Sequence, residues 1–191
     1  MLHLALPKGR MHEGVVKLLA DAGVSLGLSA RGYRPSINLP DTEVKILKPQ
    51  NIIEMLAVGS RDVAFAGHDW VLELQADLVE VFDTGLDKVR IVAAAPRTIL
   101  ENGQLPQRPL RIASEYQRLT TRWAESRARG DRVVRSYGAT EVFPPEDADC
   151  IVDVTQTGST LDANGLAIVA DLHLSSTRLY ASKQAWADPA K

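Results

Sequence analysis

The sequence predicts an α/β fold, because short apolar runs typical of buried strands alternate with segments of helical spacing. Its 191 residues are 45% hydrophobic and 24% charged, which is enough to bury a core as one large domain or as two small lobes. The stretch 96–109 contains prolines and an Asn-Gly pair, and it separates two sets of strands. The predicted strands are 2–6, 44–47, 63–66, 89–94, 110–113, 132–136, 150–154 and 167–170.

The predicted helices lie between these strands and have recognisable ends. Apolar residues three or four positions apart predict the first helix, which stops at Gly23. The second stops at Gly59, Asp69 is positioned to N-cap the third, and Gly130 ends the fourth. These helices are 11–22, 49–58, 70–76 and 119–129.

Composition argues against several classes of partner. A net charge of -2 and a pI near 6.1 provide no basic field for nucleic acid. With no signal segment and no apolar stretch near 18 residues, we expect a soluble cytoplasmic protein without membrane contact. The single cysteine, Cys150, excludes an internal disulfide, and the four histidines lack metal-ligand spacing, so we expect no protein-bound metal.

The most informative segment follows the apolar run 150–154. Asp153 lies near the end of this predicted strand, and the turn that follows contains Thr157, Gly158, Ser159 and Thr160. Hydroxyls and backbone N-H groups in such a turn can bind a phosphate, while the carboxylate can reach ribose hydroxyls. A phosphorylated sugar is therefore one interpretation. The alternative is an ordinary turn with a helix N-cap.

A second segment with potential chemistry lies after the first strand. Lys8, Gly9 and Arg10 stand between that strand and the first helix, where glycine permits close backbone approach and both cations can meet phosphate oxygens. A solvated basic turn is the alternative. Taken with the turn after Asp153, the segment predicts a site for a sugar that carries several phosphates.

Several motifs, in order along nearly the whole chain, resemble those of the ATP phosphoribosyltransferase family, the first enzyme of histidine biosynthesis. The N-terminal match reads Leu-Ala-Leu-Pro-Lys-Gly-Arg, and a later one reads Asp-Val-Ala-Phe-Ala-Gly-His-Asp. The matching segments are 4–10, 62–69, 111–116, 138–141, 148–166 and 175–179.

The resemblance implies two lobes with a type II periplasmic-binding-protein fold and an active site in the cleft between them. It places lobe I at 1–86 plus 171–191, on the ATP and pyrophosphate side. Lobe II would span 87–170, on the phosphoribosyl pyrophosphate side. The length resembles the short form of the family, which lacks the C-terminal regulatory domain and works with a regulatory subunit similar to histidyl-tRNA synthetase. A homodimer or higher assembly is also expected.

The implied reaction joins N1 of ATP to C1 of phosphoribosyl pyrophosphate and releases pyrophosphate, with Mg²⁺ carried on the substrate phosphates. By resemblance, Arg10 and Lys8 would neutralise charge growing on the departing pyrophosphate, and Arg31 would contact ATP or pyrophosphate. Asp153 would orient the ribose hydroxyls and favour a cationic sugar.

The remaining assignments also come from the resemblance. Thr157, Gly158, Ser159 and Thr160 would hold the 5'-phosphate of phosphoribosyl pyrophosphate. The expected ATP contacts are Lys8, Gly9 and Asp69.

The chain also departs from the family pattern. The loop 141–147 is one residue shorter and lacks a glycine, and the segment 83–88 replaces a more glycine-rich crossover. Two alternatives therefore stay open. One is a non-catalytic phosphosugar- or nucleotide-binding module. The other is an orotate- or purine-type phosphoribosyltransferase, although those proteins usually carry two adjacent acids where this chain has Val152 and Asp153.

Overall fold

The structure, a computed structural model, describes residues 1–27 and 32–191. The chain divides into two compact units, of which unit 1 contains Met1–Lys88 and Ser176–Lys191 and unit 2 contains Val89–Ser175. Each unit combines strands with helices, and the predicted α/β class is confirmed.

Ten strands and six helices are formed by the described residues. The strands are β1 (Leu2–Pro7), β2 (Leu26–Gly27), β3 (Ser36–Ile37), β4 (Thr42–Leu47), β5 (Val63–Gly67), β6 (Val79–Pro96), β7 (Arg111–Ser114), β8 (Arg132–Arg135), β9 (Cys150–Thr155) and β10 (Leu166–Ala181). The helices are α1 (Met11–Asp21), α2 (Pro49–Ala57), α3 (His68–Leu74), α4 (Gln117–Arg127), α5 (Ser159–Ala163) and α6 (Lys183–Trp186). Short 3-10 turns occur at Arg97–Ile99 and Thr140–Val142.

In unit 1, β1 is a central strand that pairs in parallel with both β4 and β5. Its side chains alternate between two buried faces, as expected for a parallel strand covered on both sides. Leu6 packs in one apolar cluster with Val15 of α1, whereas Ala5 packs in another with Ile52 and Leu56 of α2. The carboxyl ends of β1, β4 and β5 therefore share one edge of the sheet, and loops from all three emerge there.

In unit 2, β7 pairs in parallel with both β8 and β9, and β6 runs antiparallel to β9. Ile151 and Leu161 belong to the same buried cluster, so α5 is held against the strand that precedes it. The buried Ser114 hydroxyl donates to the Val152 carbonyl over 2.6 Å and ties the end of β7 to β9. The turn between β9 and α5 thus stands on a rigid base.

Three features differ from the sequence prediction. Helix α3 begins at His68, with Gly67 in the N-cap position, so Asp69 lies in the first turn and the predicted N-cap at Asp69 is wrong. Strands β6 and β10 extend well beyond the apolar runs that predicted them. The residues of β6 before Val89 are half-buried or exposed, and in β10 the buried polar residues Ser175, Ser176 and Thr177 interrupt the apolar pattern. The short β2 and β3 pair was not predicted, since two-residue strands have no readable period.

Truncation of Ile151 to alanine tests the unit 2 core. Its side chain is fully buried, so we expect Ile151→Ala to lower the free energy of unfolding by about 2–5 kcal/mol through lost burial and a residual cavity. Val154 in the same strand is 37% exposed, and Val154→Ala should cost under about 1 kcal/mol. Urea titrations followed by circular dichroism measure both values. Equal losses in the two variants would contradict the described burial of β9.

Candidate active site

The turn between β1 and α1 brings Lys8, Gly9 and Arg10 to the carboxyl edge of the unit 1 sheet. The Lys8 amide donates to the Leu47 carbonyl over 2.8 Å, which ties the turn to the end of β4. Gly9 has a φ of +85°, a left-handed conformation that residues with a Cβ adopt rarely. Lys8 and Arg10 therefore flank a glycine whose left-handed conformation sets the direction of the turn.

Lys8 is held by an aromatic side chain from the neighbouring loop. Its Nζ donates to the Tyr33 hydroxyl over 2.9 Å and lies 4.9 Å from the centre of the tyrosine ring. The hydrogen bond and the positive charge of Lys8 lower the pKa of the Tyr33 phenol. This pair is solvent-exposed, so an incoming anion can reach the ammonium group.

Beside this pair, unit 1 contains an open cavity of about 470 Å³. Four of its lining residues are cations, namely Lys8, Arg34, Lys45 and Lys48, and no acid lines it among the residues described. Asn51 and Tyr33 add polar groups. A concave surface with this charge favours a ligand that carries several negative charges, such as a polyphosphate.

Arg10 contacts the strand that leads out of unit 1. Its Nη1 donates to the Asp87 carbonyl over 3.3 Å and lies 3.9 Å from Asp87 Oδ1. The Arg10 side chain nevertheless remains 45% exposed. It can therefore meet a ligand without leaving its protein contact.

Asp69 and Arg31 were predicted to belong to the same region. Asp69 follows β5 at the same sheet edge as Lys8, but it is 5% exposed, and its carboxylate packs against the Cα of Gly67. Arg31 lies outside the described residues.

In unit 2, Asp153 is a half-buried carboxylate near the end of β9. Burial raises its pKa to about 6, the hydrogen bond from the Val154 amide at 2.7 Å opposes the rise, and the negative charges of Glu141 and Glu115 add to it. Glu115 directly follows β7, which pairs in parallel with β9, and Glu141 lies in the 3-10 turn that packs on β9. The carboxyl edge of this sheet is therefore strongly acidic.

The residues after Asp153 form a hydroxyl-rich turn. Gly158 has a φ of +86° and serves as the N-cap of α5, and its amide donates to the buried Thr155 hydroxyl over 2.9 Å. The Thr157 hydroxyl donates to Ser159 Oγ over 3.0 Å. Thr157, Ser159 and Thr160 are exposed. These hydroxyls are grouped in one short turn and accessible to a ligand.

Two comparisons decide the family. A family model described as HisG, ATP phosphoribosyltransferase, matches residues 48–191. An ATP phosphoribosyltransferase from Pelotomaculum thermopropionicum is 38% identical over 195 aligned positions, which cover all of this chain and 68% of that protein. The chain belongs to the ATP phosphoribosyltransferase family. It is a pentosyltransferase for the first step of histidine biosynthesis, and these matches favour that function over the non-catalytic module and the orotate- or purine-type enzyme.

Solved structures agree with this placement. The chain superposes with a TM-score of 0.84 and 29% identity on a chain of the ATP phosphoribosyl transferase (HisG:HisZ) complex from Thermotoga maritima, covering 97% of this chain and 90% of that one. The alkanesulfonate-binding protein SsuA from Xanthomonas axonopodis superposes with a TM-score of 0.59 at 17% identity, covering 96% of this chain and 65% of that one, and shows likeness of fold alone. The predicted periplasmic-binding-protein-like fold is confirmed.

ATP phosphoribosyltransferases normally use Mg²⁺. Across residues 1–27 and 32–191, no group of three or more histidine, cysteine or acidic side chains is arranged to hold a metal ion. Nor is any helix in those ranges long and apolar enough to span a membrane. Cys150 is buried, which raises the pKa of its thiol to about 12 and leaves it a packing residue.

Sequence reasoning missed several residues at these two sheet edges. Tyr33 and Asp87 contact the predicted cations from distant parts of the chain, and only folding brings them there. Lys45 and Lys48 carried a readable signal, because a lysine inside an apolar strand and another directly after it are unusual in a buried sheet. The sequence did not predict that β1 and β4 pair in parallel, so it could not show that these lysines lie beside the Lys8–Arg10 turn.

The raised pKa of Asp153 predicts a pH-dependent effect on stability. An acid whose pKa is raised by folding costs folding free energy above about pH 6, and this cost disappears as the pH falls towards its unfolded value of about 4. We therefore expect Asp153→Asn to melt a few degrees above the wild type at pH 8, with the advantage shrinking between pH 6 and pH 4. Thermal melts across this range measure the effect.

Asp149 in the same unit provides a control of opposite sign. Burial raises its pKa, but hydrogen bonds from the Arg111 amide and the Arg108 guanidinium outweigh that effect and lower it overall. Asp149→Asn should therefore melt below the wild type at pH 8, with the loss disappearing only below about pH 4. Destabilisation of Asp153→Asn at pH 8 would contradict the described environment of Asp153.

Proposed function

We propose that the β9–α5 turn binds the ribose 5-phosphate part of phosphoribosyl pyrophosphate and that the β1–α1 turn serves its pyrophosphate and the phosphates of ATP. The observation that carries this proposal is the half-buried Asp153 carboxylate with the exposed hydroxyls of Thr157, Ser159 and Thr160 directly after it. An acid beside a phosphate-binding turn matches the two ends of a phosphorylated ribose.

Asp153 would act on the sugar. Ribose transfer by displacement of pyrophosphate from C1 leaves positive charge on the sugar ring in the transition state, and an ionised carboxylate stabilises that charge. Burial of Asp153 and the negative charges of Glu115 and Glu141 make the ionised form of Asp153 less favourable in the absence of substrate. A substrate that brings hydroxyl donors and developing positive charge relieves this cost, which favours binding in the reactive orientation.

Thr157, Gly158, Ser159 and Thr160 would hold the 5'-phosphate. The left-handed φ of Gly158 turns the chain so that hydroxyls and backbone N-H groups of neighbouring residues occur close together. These neutral donors suit an anion in the otherwise acidic unit 2 edge, because they bind phosphate oxygens through directed hydrogen bonds rather than net charge.

Arg10 and Lys8 would stabilise the leaving group. Negative charge accumulates on pyrophosphate as its bond to C1 breaks, so a cation in contact with it contributes more in the transition state than in the ground state. We assign Arg10 the larger part, because its planar guanidinium can bind two phosphate oxygens at once. Arg31 keeps its predicted role on ATP or pyrophosphate.

The ATP phosphates would occupy the cationic cavity next to the same turn. Lys8 lines that cavity, and Gly9 without a Cβ leaves space beside the backbone. Asp69 keeps its predicted place at the ATP side, where its position after β5 puts it at the same sheet edge. Mg²⁺ would enter with the substrate phosphates and reduce their mutual repulsion.

The assembly and compartment follow from the family. We propose a regulatory partner like that in the Thermotoga maritima complex, HisZ, together with self-association as a homodimer or larger oligomer. A cytoplasmic location is proposed because both substrates are intracellular metabolites.

Replacement of Arg10 tests the leaving-group role. We expect Arg10→Ala to lower kcat roughly 10- to 100-fold with a smaller change in KM for phosphoribosyl pyrophosphate, because the lost interaction strengthens as pyrophosphate departs. Steady-state kinetics with each substrate varied separately measure both constants. The control is Arg132→Ala, which removes an exposed arginine at the start of β8 in unit 2. Its kinetics should equal those of the wild type. A rise in KM alone for Arg10→Ala would contradict the assignment.

Replacement of Asp153 tests the sugar site. Asp153→Ala should lower kcat roughly 100-fold or more while the chain stays folded, because it removes the carboxylate facing the ribose. Adduct formation from ATP and phosphoribosyl pyrophosphate, followed by mass spectrometry with and without the HisZ-like subunit, measures activity, and orotate or hypoxanthine should not replace ATP. Asp171→Ala, an exposed acid of unit 2, is the matched control. Near-normal turnover of Asp153→Ala would overturn the proposal.

A further inference from the structure

We propose that Asp87 is a positioning residue for Arg10, holding one end of its guanidinium so that the other end faces the departing pyrophosphate. This inference rests on the leaving-group role proposed for Arg10. It assigns a task to a residue that no sequence motif singled out.

Asp87 is itself fixed before it contacts Arg10. Its Oδ2 accepts a hydrogen bond from the Thr177 hydroxyl over 2.9 Å, and Thr177 is 1% exposed. Thr177 is fixed in turn, because its carbonyl accepts from the Thr84 hydroxyl over 2.5 Å. The carboxylate is therefore held, within unit 1, by the buried Thr177 of β10, which is itself bonded to the half-buried Thr84 of β6.

Arg10 contacts Asp87 through one guanidinium nitrogen only. Nη1 donates to the Asp87 carbonyl over 3.3 Å and lies 3.9 Å from Oδ1, and no other hydrogen bond or ion pair of the Arg10 side chain is formed with the residues described. Asp87 is 17% exposed at its side chain, whereas Arg10 is 45% exposed. Nε and Nη2 are thus available for phosphate oxygens, and a guanidinium can bind two of them in one plane.

The backbone at Asp87 supports a task for the side chain. Its φ is +50°, in the left-handed region where glycine carries no steric cost and aspartate is tolerated. A glycine would satisfy the turn, yet this chain places there a carboxylate that bonds Thr177 and faces Arg10. A carboxylate near the Lys8–Arg10 turn would repel pyrophosphate unless it were paired with a cation, and Arg10 lies within ion-pair distance of it, at 3.9 Å.

The first test is Asp87→Asn, which keeps the left-handed backbone and an oxygen for Thr177 but removes the charge. We expect kcat to fall roughly twofold to fivefold, as for an exposed ion pair, with KM for phosphoribosyl pyrophosphate nearly unchanged. Asp41→Asn is the matched control, because Asp41 also has a positive φ, 47°, and precedes β4 at the opposite edge of the sheet. Its kinetics should equal those of the wild type.

A double-mutant cycle with Arg10→Ala separates positioning from a structural effect. In the Arg10→Ala background, Asp87→Asn should cause no further loss of kcat. An equal loss in both backgrounds, or an unchanged or increased kcat for Asp87→Asn alone, would overturn the inference while leaving the role of Arg10 intact. If Arg10→Ala itself leaves kcat unchanged, the proposed function of Arg10 fails first, so the two failures are distinguishable.

Asp87→Gly provides a second variant in case the asparagine variant folds poorly. Glycine fits the positive φ, so its melting temperature should stay within a few degrees of the wild type, although the contact with Thr177 is lost. Its kcat should nevertheless fall at least as far as that of Asp87→Asn. A folded Asp87→Gly enzyme with wild-type kcat would also overturn the inference.

Discussion

Parallel strand pairing is the constraint on which the candidate binding surface of each unit depends. In a parallel sheet every strand ends at the same edge, so residues far apart in sequence become neighbours only if the pairing forms. In unit 1 this gathers the loops after β1, β4 and β5, and in unit 2 the loops after β7 and β9. The buried faces of β1 and β9 give these pairings their stability, since each strand is covered by apolar side chains.

The two sheet edges differ in charge, and the difference agrees with the proposed division of the substrate groups between them. The unit 1 edge is lined by Lys8, Arg34, Lys45 and Lys48, which suits the phosphates of ATP and a departing pyrophosphate. The unit 2 edge combines Asp153 with Glu115 and Glu141, which suits a sugar that becomes cationic. In the proposed mode of binding, the neutral hydroxyls beside those acids would hold one phosphate without adding positive charge that offsets the acidic groups.

How far the sequence predicts this arrangement depends on the range of the interactions involved. Lys8, Gly9 and Arg10 could be identified because their meaning lies in a local order of strand, turn and helix. Tyr33 and Asp87 could not be identified in this way, because Tyr33 is 25 residues from Lys8 in the chain and Asp87 is 77 residues from Arg10. The divisions between units have a different origin: they fall inside the continuous strands β6 and β10, so only the family resemblance suggested divisions in these regions, after residues 86 and 170.

The alternation of β9 has a consequence for how this chain can change length during evolution. Asp153 lies between Val152 and Val154, and the Ser114 hydroxyl fixes the register through the Val152 carbonyl. A single inserted or deleted codon in β9 would move every later side chain to the opposite face and present an isopropyl group where the carboxylate stands. The loop 141–147 before it forms no strand and has no such register to keep. Within β9, by contrast, the pairing fixes which face each side chain occupies, so a change of length there would carry the Asp153 carboxylate away from its present position.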